Sequence, residues 1–236
     1  MARTLIVGSG EVGKSLYRVL QDHHDTHIRD ITPTVLDNID ILNICFPYDW
    51  GLNGRDFKLA VRQYQAEYKP KLTIIHSSVD VGTSRELGAV HSPIHGKHPN
   101  LDKGIKTFIK YIGAADPLNA DFADEFLRKA GINTMIVSSP EASEASKIWC
   151  TTQYGWNIVL MKEIKRYCDE HNLPFEEVYG WNQFYNEGYE KLGMHQFRRP
   201  ILEYIEGKIG GHCVINNCKI LQTPVAKFIL EQNESY

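Results

Sequence analysis

The sequence predicts an α/β fold: a doubly wound, mostly parallel sheet over residues 1–140, followed by a helical region over 141–236 built on one long helix. Three observations carry this. Short apolar runs alternate with amphipathic ones through about residue 140, the rhythm of strands and crossover helices in a parallel sheet. The first apolar run opens on a glycine turn, Gly8-Ser-Gly-Glu-Val-Gly13. After Pro140 the rhythm stops, and Glu141 to Glu170 reads as one helix whose apolar residues cover much of its circumference. Such a helix needs cover on more than one face.

The glycine turn follows the strand Leu5-Ile-Val7 and precedes an amphipathic run with Val12, Leu16, Val19 and Leu20. In that context G-x-G-x-x-G is a dinucleotide-binding spacing, which makes the sheet Rossmann-type. Gly8 permits the sharp turn, Gly10 lets backbone approach a pyrophosphate, and Gly13 lets helix and strand pack closely. The helix start, with Glu11 and Val12, supplies free N–H groups and a positive dipole end. The second strand, His27-Ile-Arg-Asp-Ile31, places Asp30 near its end. A carboxylate there accepts the ribose hydroxyls of NAD and repels a 2′-phosphate, so NAD is expected before NADP.

Further strands are expected in Asp40–Tyr48, where Phe46 and Pro47 close the run at the cofactor, and in Lys71–Ser78, with His76, Ser77 and Ser78 at its carboxyl end. Ligands of open α/β sheets bind beyond such ends. Ala89–Ile94, Thr107–Ile112 and Asn133–Val137 complete the set, with helices at 56–68, 84–87 and 121–130. In the second half, Phe175–Arg199 is rich in tyrosine, tryptophan and asparagine and reads as packing surface. Gly207–Cys218 reads as a glycine-rich loop, and Thr223-Pro224 as the N-cap and first residue of a final helix reaching Gln232.

With 42% hydrophobic and 23% charged residues, the 236-residue chain has the composition of a globular protein with a real core. A net charge of −3 gives no reason to expect nucleic acid or an anionic membrane as partner. No apolar run approaches the roughly 20 residues that span a bilayer, and a strand begins too early to leave room for a signal peptide. The five dispersed cysteines fit reduced thiols, and a cytoplasmic location is expected.

Taken together, the Gly8–Gly13 loop, the Asp40–Pro47 strand, Ser77-Ser-Val-Asp-Val-Gly-Thr83, Glu144-Ala-Ser-Lys147 and Gly210-Gly-His-Cys213 resemble, in order, the UDP-glucose/GDP-mannose dehydrogenase family. More distantly they resemble the 6-phosphogluconate and β-hydroxyacid dehydrogenases. The resemblance covers residue 4 to about 222, and the sugar-nucleotide enzymes continue into a further domain that holds the nucleotide of the substrate; on this reading the chain is a truncated member. It implies an NAD-dependent oxidation of an alcohol or aldehyde, through a cysteine thiohemiacetal and thioester in the sugar-nucleotide enzymes. Cys213 stands at the nucleophile position, where the thiolate is the reactive form. Lys147 stands at the lysine that stabilises an oxyanion, and Ser78 at a hydroxyl that positions water. Thr151 replaces the asparagine one helical turn beyond the lysine, and lies on the same face. Two departures are plain: His91-Ser-Pro-Ile-His95 lacks the expected acid, and Asn216-Asn217 replaces Lys-Asp.

His91, His95 and His98, with Lys97, suit an anion site for the substrate, and His212 and the pair Arg198-Arg199 are grouped with them. Imidazoles with Cys213 are also zinc-ligand types, but Pro93, Gly96 and Pro99 make the segment a loop, and no metal is expected. The leading expectation is an oxidoreductase for a small, anionic or sugar-like substrate, dimeric through the long helix. If a single oxidation occurs, Lys147 is the general base and Cys213 is incidental. An S-adenosylmethionine-dependent group transfer, or nucleotide binding without turnover, stays open as an alternative, because a fold hosts many chemistries.

Overall fold

The structure, a computed structural model, describes residues 1–236 except Pro33, Thr34, His98 and His212. It divides into two compact units, Met1–Ile148 and Trp149–Tyr236.

The first unit holds a seven-stranded sheet of order β2-β1-β3-β4-β5-β6-β7. The strands are β1 (Arg3–Val7), β2 (Asp25–Arg29), β3 (Ile41–Ile44), β4 (Leu72–Ile75), β5 (Val90–His91), β6 (Lys110–Gly113) and β7 (Thr134–Val137). All neighbours pair parallel except β5 and β6, which meet antiparallel through one residue pair, His91 with Gly113. Side chains alternate between two cores, as the pleat requires. Ile6, Ile41 and Ile74 face a core that also takes Leu16 and Leu20 of α1 (Glu11–Leu20), Leu101 and Ile105 of α4 (Leu101–Thr107), and Phe126 and Leu127 of α5 (Pro117–Lys129). Leu5, Val7, Leu42 and Ile44 face the other core, with Phe57 and Val61 of α2 (Arg55–Tyr68). With helices on both faces, β1, β3 and β4 are buried almost throughout, which is why they read as continuous apolar runs.

Each of the seven strands overlaps the run expected for it, though β1 starts two residues earlier, β2 spans Asp25–Arg29 instead of 27–31, and β6 reaches Gly113. The run at 107–112 begins as the end of α4, an unexpected helix. Gly104 interrupts its pattern, but a Cβ there would lie 2.7 Å from the Gly96 Cα, so the glycine serves close packing. The short helix expected at 84–87 is α3, one residue earlier (Thr83–Glu86).

The helix α6 (Pro140–Glu170) begins in the first unit and continues into the second. The second unit adds α7 (Phe175–Lys191), α8 (Cys213–Leu221) and α9 (Pro224–Glu234). Its core is Val159, Ile209, Val214, Cys218, Ala226 and Ile229. Gly155 lets α6 and α8 approach, since a Cβ there would sit 2.5 Å from Val214. The Lys162 ammonium donates to the carbonyls of Ile205 and Gly207, both at 2.6 Å, and so pins the extended stretch before α8. Thr223 caps α9 by accepting from the Ala226 N–H, with Pro224 in the first turn. The glycine-rich segment expected to run as a loop to Cys218 ends earlier: α8 starts at Cys213, because Val214, Asn217 and Cys218 bury one face at helical spacing. Among the described residues no helix is long and apolar enough to cross a membrane.

Candidate active site

The turn between β1 and α1 lies where the chain order reverses, since β1 is flanked by β2 on one side and β3 on the other. Connections leave that point in opposite directions and open a crevice at the carboxyl ends of the strands. Each glycine of the turn has a visible reason. Gly8 sits at φ +103°, and a Cβ there would lie 2.9 Å from the Cys45 carbonyl carbon and 3.0 Å from the Phe46 nitrogen. A Cβ on Gly13 would lie 1.8 Å from the Gly8 oxygen. Gly10 is different: nothing lies within 4 Å of its Cβ position. The backbone at Gly10 therefore faces open space at the first turn of α1, where Glu11 is exposed and Val12 is half-buried. An open backbone at the start of a helix suits a pyrophosphate, so the residues present fit a dinucleotide.

The second strand brings its acid to the same place. The Gly8 N–H donates to the Arg29 carbonyl at 2.9 Å, tying the turn to the end of β2. Asp30 follows, exposed, and its carboxylate accepts from the Ser9 hydroxyl. On the β3 side, Phe46 packs on Phe57 at 5.0 Å, and its carbonyl accepts from Ser77 Oγ at 2.6 Å; Pro47 is exposed. Ser78 is half-buried just beyond β4.

The histidines separate by burial. His91 is fully buried, with Nδ1 2.9 Å from Ser143 Oγ and Nε2 3.2 Å from the Ser77 carbonyl. Burial above all, with the fields of Lys110 and Lys147, pushes it down to about 3, so the ring is neutral. Nε2–H then donates to Ser77, and Nδ1 accepts from Ser143. Both ring nitrogens are taken, and His91 links β4, β5 and α6 rather than facing a substrate. His95 is half-buried and is pushed down to about 4, by burial first and then by Lys147 and Lys110. His98 and His212 lie outside the described residues.

Lys147 is half-buried on the first turns of α6, and its ammonium donates to the Ile94 carbonyl at 2.8 Å. Two neighbours were not legible as site residues. Lys110, 3% exposed, donates to the carbonyls of Ser92 and, at 2.9 Å, Pro93. Two lysines thus hold three consecutive carbonyls of the loop that carries His95. Glu144, fully buried, accepts from the Gly82 N–H at 2.6 Å and the Ser84 N–H at 2.7 Å. It fastens the loop after Ser77-Ser78 to the start of α6. Glu144→Ala strands the buried Ser84 N–H and the half-buried Gly82 N–H and is expected to cost about 2–4 kcal/mol, read as a lower urea midpoint with unchanged slope.

In the second unit Cys213 is exposed at the start of α8, after Gly211 at φ +76°. Thr151 Oγ1 accepts from the Asn217 amide at 3.0 Å, so the position that reads Lys-Asp in the resembling family places its second residue against Thr151. The two arginines are engaged. Arg198 pairs with Glu190 at 3.3 Å, and the Arg199 guanidinium stacks 3.5 Å above the Tyr185 ring while its backbone exchanges two hydrogen bonds with Asn186.

No protein-family model matches the chain, and no curated protein does. Solved structures do. The chain is similar to the UDP-D-ManNAc dehydrogenase of Pyrococcus horikoshii, at 13% identity and a TM-score of 0.80, over 98% of this chain and 68% of that one. It is similar to the UDP-N-acetyl-mannosamine dehydrogenase Cap5O of Staphylococcus aureus, at 15% identity and a TM-score of 0.75, over 98% and 67%. For the 3-hydroxyisobutyrate dehydrogenase of Mycobacterium tuberculosis the identity is 13% and the TM-score 0.70, over 98% and 92%. At such identities the likeness is one of fold: this chain folds as the UDP-sugar and 3-hydroxyisobutyrate dehydrogenases do.

Proposed function

We propose that the protein is an NAD-dependent oxidoreductase acting on an alcohol or aldehyde of a small, anionic or sugar-like substrate. The observation that supports it most is the crevice at Gly10, open where a pyrophosphate would lie and flanked by the Asp30 carboxylate. The dehydrogenase fold points the same way. Bound NAD would supply the hydride acceptor. The chain's own residues then have separate tasks. Gly10 and the first N–H groups of α1 bind the pyrophosphate, and Asp30 takes the adenosine ribose. Lys147, steadied by the Ile94 carbonyl, stabilises the substrate oxygen or removes its proton. His95, neutral beside it, offers a hydrogen-bonding ring to an anionic group. Ser78 orients water or substrate oxygen; the family resemblance gives an oxygen-binding role to Thr151, held by Asn217, and the aldehyde carbon to Cys213 if oxidation proceeds twice.

A thermal-shift series with NAD, NADH, NADP, S-adenosylmethionine and UDP tests the reading. A ligand at a hundred times its dissociation constant adds roughly 2.7 kcal/mol, so stabilisation by NAD or NADH is expected to be plain. Stabilisation by S-adenosylmethionine alone would overturn the redox reading. Once a substrate shows absorbance change at the nicotinamide band, Lys147→Met is expected to abolish it. Cys213→Ser decides between one oxidation, where turnover survives, and two, where it is lost.

We also propose a homodimer through the long helix, a reading the second unit supports. Trp149, Trp156, Leu160 and Tyr167 lie along one stripe of α6 and are each about half exposed, and Trp181 and Phe184 of α7 are 68% exposed. A stripe of that size calls for a partner helix. Sedimentation should give twice the 27.0 kDa chain mass. All five cysteines are free, which suits a reducing cytoplasm.

A further inference from the structure

Two neighbouring residues at the end of β2 carry opposite charges and are treated in opposite ways. The Asp30 carboxylate is exposed and accepts from the hydroxyl of Ser9, the residue between the first two glycines of the turn. The side chain of Arg29 is 6% exposed. Its Nη1 donates to Glu67 at 2.9 Å and to the Tyr68 hydroxyl, and its guanidinium lies 5.0 Å from the Tyr64 ring centroid and 5.6 Å from that of Tyr68.

We propose that Ser9 is a positioning residue, and that Ser9 and the Glu67–Tyr68 anchor of Arg29 together set the cofactor choice of the site. The inference rests on the dinucleotide reading above and adds what decides between its two forms. An exposed aspartate samples several rotamers, and only those turned to the crevice can accept both ribose hydroxyls. The Ser9 hydroxyl occupies one carboxylate oxygen and keeps the other lone pairs aimed at the cofactor. A 2′-phosphate would meet that fixed negative charge. It would need a guanidinium in compensation, the role an arginine near this position plays where the phosphate is accommodated. Arg29 is adjacent in sequence, but its ties to α2 keep it beneath the strand end. The pair is a selector: one charge is presented and the other withheld.

The test is the affinity of the full chain for NADH and for NADPH, read by nicotinamide fluorescence without any substrate. The wild type is expected to bind NADH at least tenfold tighter. Ser9→Ala should weaken NADH roughly tenfold, the loss of one hydrogen bond to a charged group, while NADPH changes little. Ser9→Thr, which keeps the hydroxyl, should restore the preference. Glu67→Ala with Tyr68→Phe should tighten NADPH and leave NADH unchanged. A merely structural role for Ser9 would weaken both cofactors alike, and that result, or an unchanged ratio in Ser9→Ala, overturns the proposal. Failure of the wild type to bind either nucleotide overturns the dinucleotide reading and this proposal together. An altered preference with no turnover on any alcohol would leave the selector standing and remove the redox chemistry.

Discussion

Gly10→Ala is expected to leave the fold intact and abolish dinucleotide binding, whereas Gly13→Ala should unfold the first unit. The two glycines are three residues apart in one turn, and the difference is geometric. At Gly10, φ is −70° and ψ −169°, a conformation any residue adopts. The added methyl meets nothing within 4 Å, so stability should change by less than about 0.5 kcal/mol. Yet that methyl occupies the space where a pyrophosphate must approach the backbone, and NADH affinity should fall at least a hundredfold. At Gly13 the methyl would lie 1.8 Å from the Gly8 oxygen, which cannot retreat because Gly8 is itself wedged against Cys45 and Phe46. Moving α1 off the sheet would unpack Leu16 and Leu20 from the core, at a cost above roughly 3 kcal/mol. Urea melts of both variants beside NADH titrations separate the effects. A Gly10→Ala protein that still binds NADH as the wild type does would sink the placement of the pyrophosphate.

The second large effect is acid instability in a window set by histidines. His24, His76 and His91 are buried, and burial is the first cause of the lowered proton affinity of each, with His91 near 3; His95 is near 4. An unfolded chain protonates the same rings near 6.5. Between 6.5 and the folded values the unfolded state therefore holds more protons, and stability falls as pH falls. It is fully present above about 6.5. By pH 5, His91 alone costs roughly 2 kcal/mol at 1.4 kcal/mol per pH unit, a sizeable part of a typical 5–15 kcal/mol margin, and His76, lowered by the same burial, adds to the loss. Burial shifts Glu144 the other way, upward, so the folded state takes up that proton first and offsets a little of the loss near pH 4.5. Urea midpoints from pH 8 to 4 should stay level to about 6.5 and then drop. His91→Gln should lower stability at pH 7 and make the drop shallower by one proton. A midpoint flat down to pH 5 would mean the rings charge without penalty.

Much of the sheet was legible because strands buried on both faces leave continuous apolar runs, as in Ile41–Ile44 and Leu72–Ile75. The glycine turn was legible because its chemistry is local. What escaped was written in contacts across the chain. Gly104 reads as a breaker until Gly96 is seen packed against it, so α4 was hidden. The start of α8 was masked by the glycines before it. Lys110 lies in an apolar run where a lysine reads as the solvent side of a strand, and its carbonyl partners are 17 and 18 residues away. His91 reads as part of a loop of histidines, but Ser143, 52 residues later, holds its ring inside.

The bridge between β5 and β6 is a single residue pair, and it limits how far the backbone ladder can share protection. Five strands, from β2 through β5, pair without interruption; β6 and β7 pair with each other beyond the bridge. What crosses is carried by side chains: the Lys110 ammonium on Ser92 and Pro93, and the packing of Ile112 and Phe126 in the common core. Amide protons of β6 and β7 are therefore expected to exchange with solvent sooner than those of β1, β3 and β4. The five strands from β2 through β5 are expected to open together, and β6 and β7 before them.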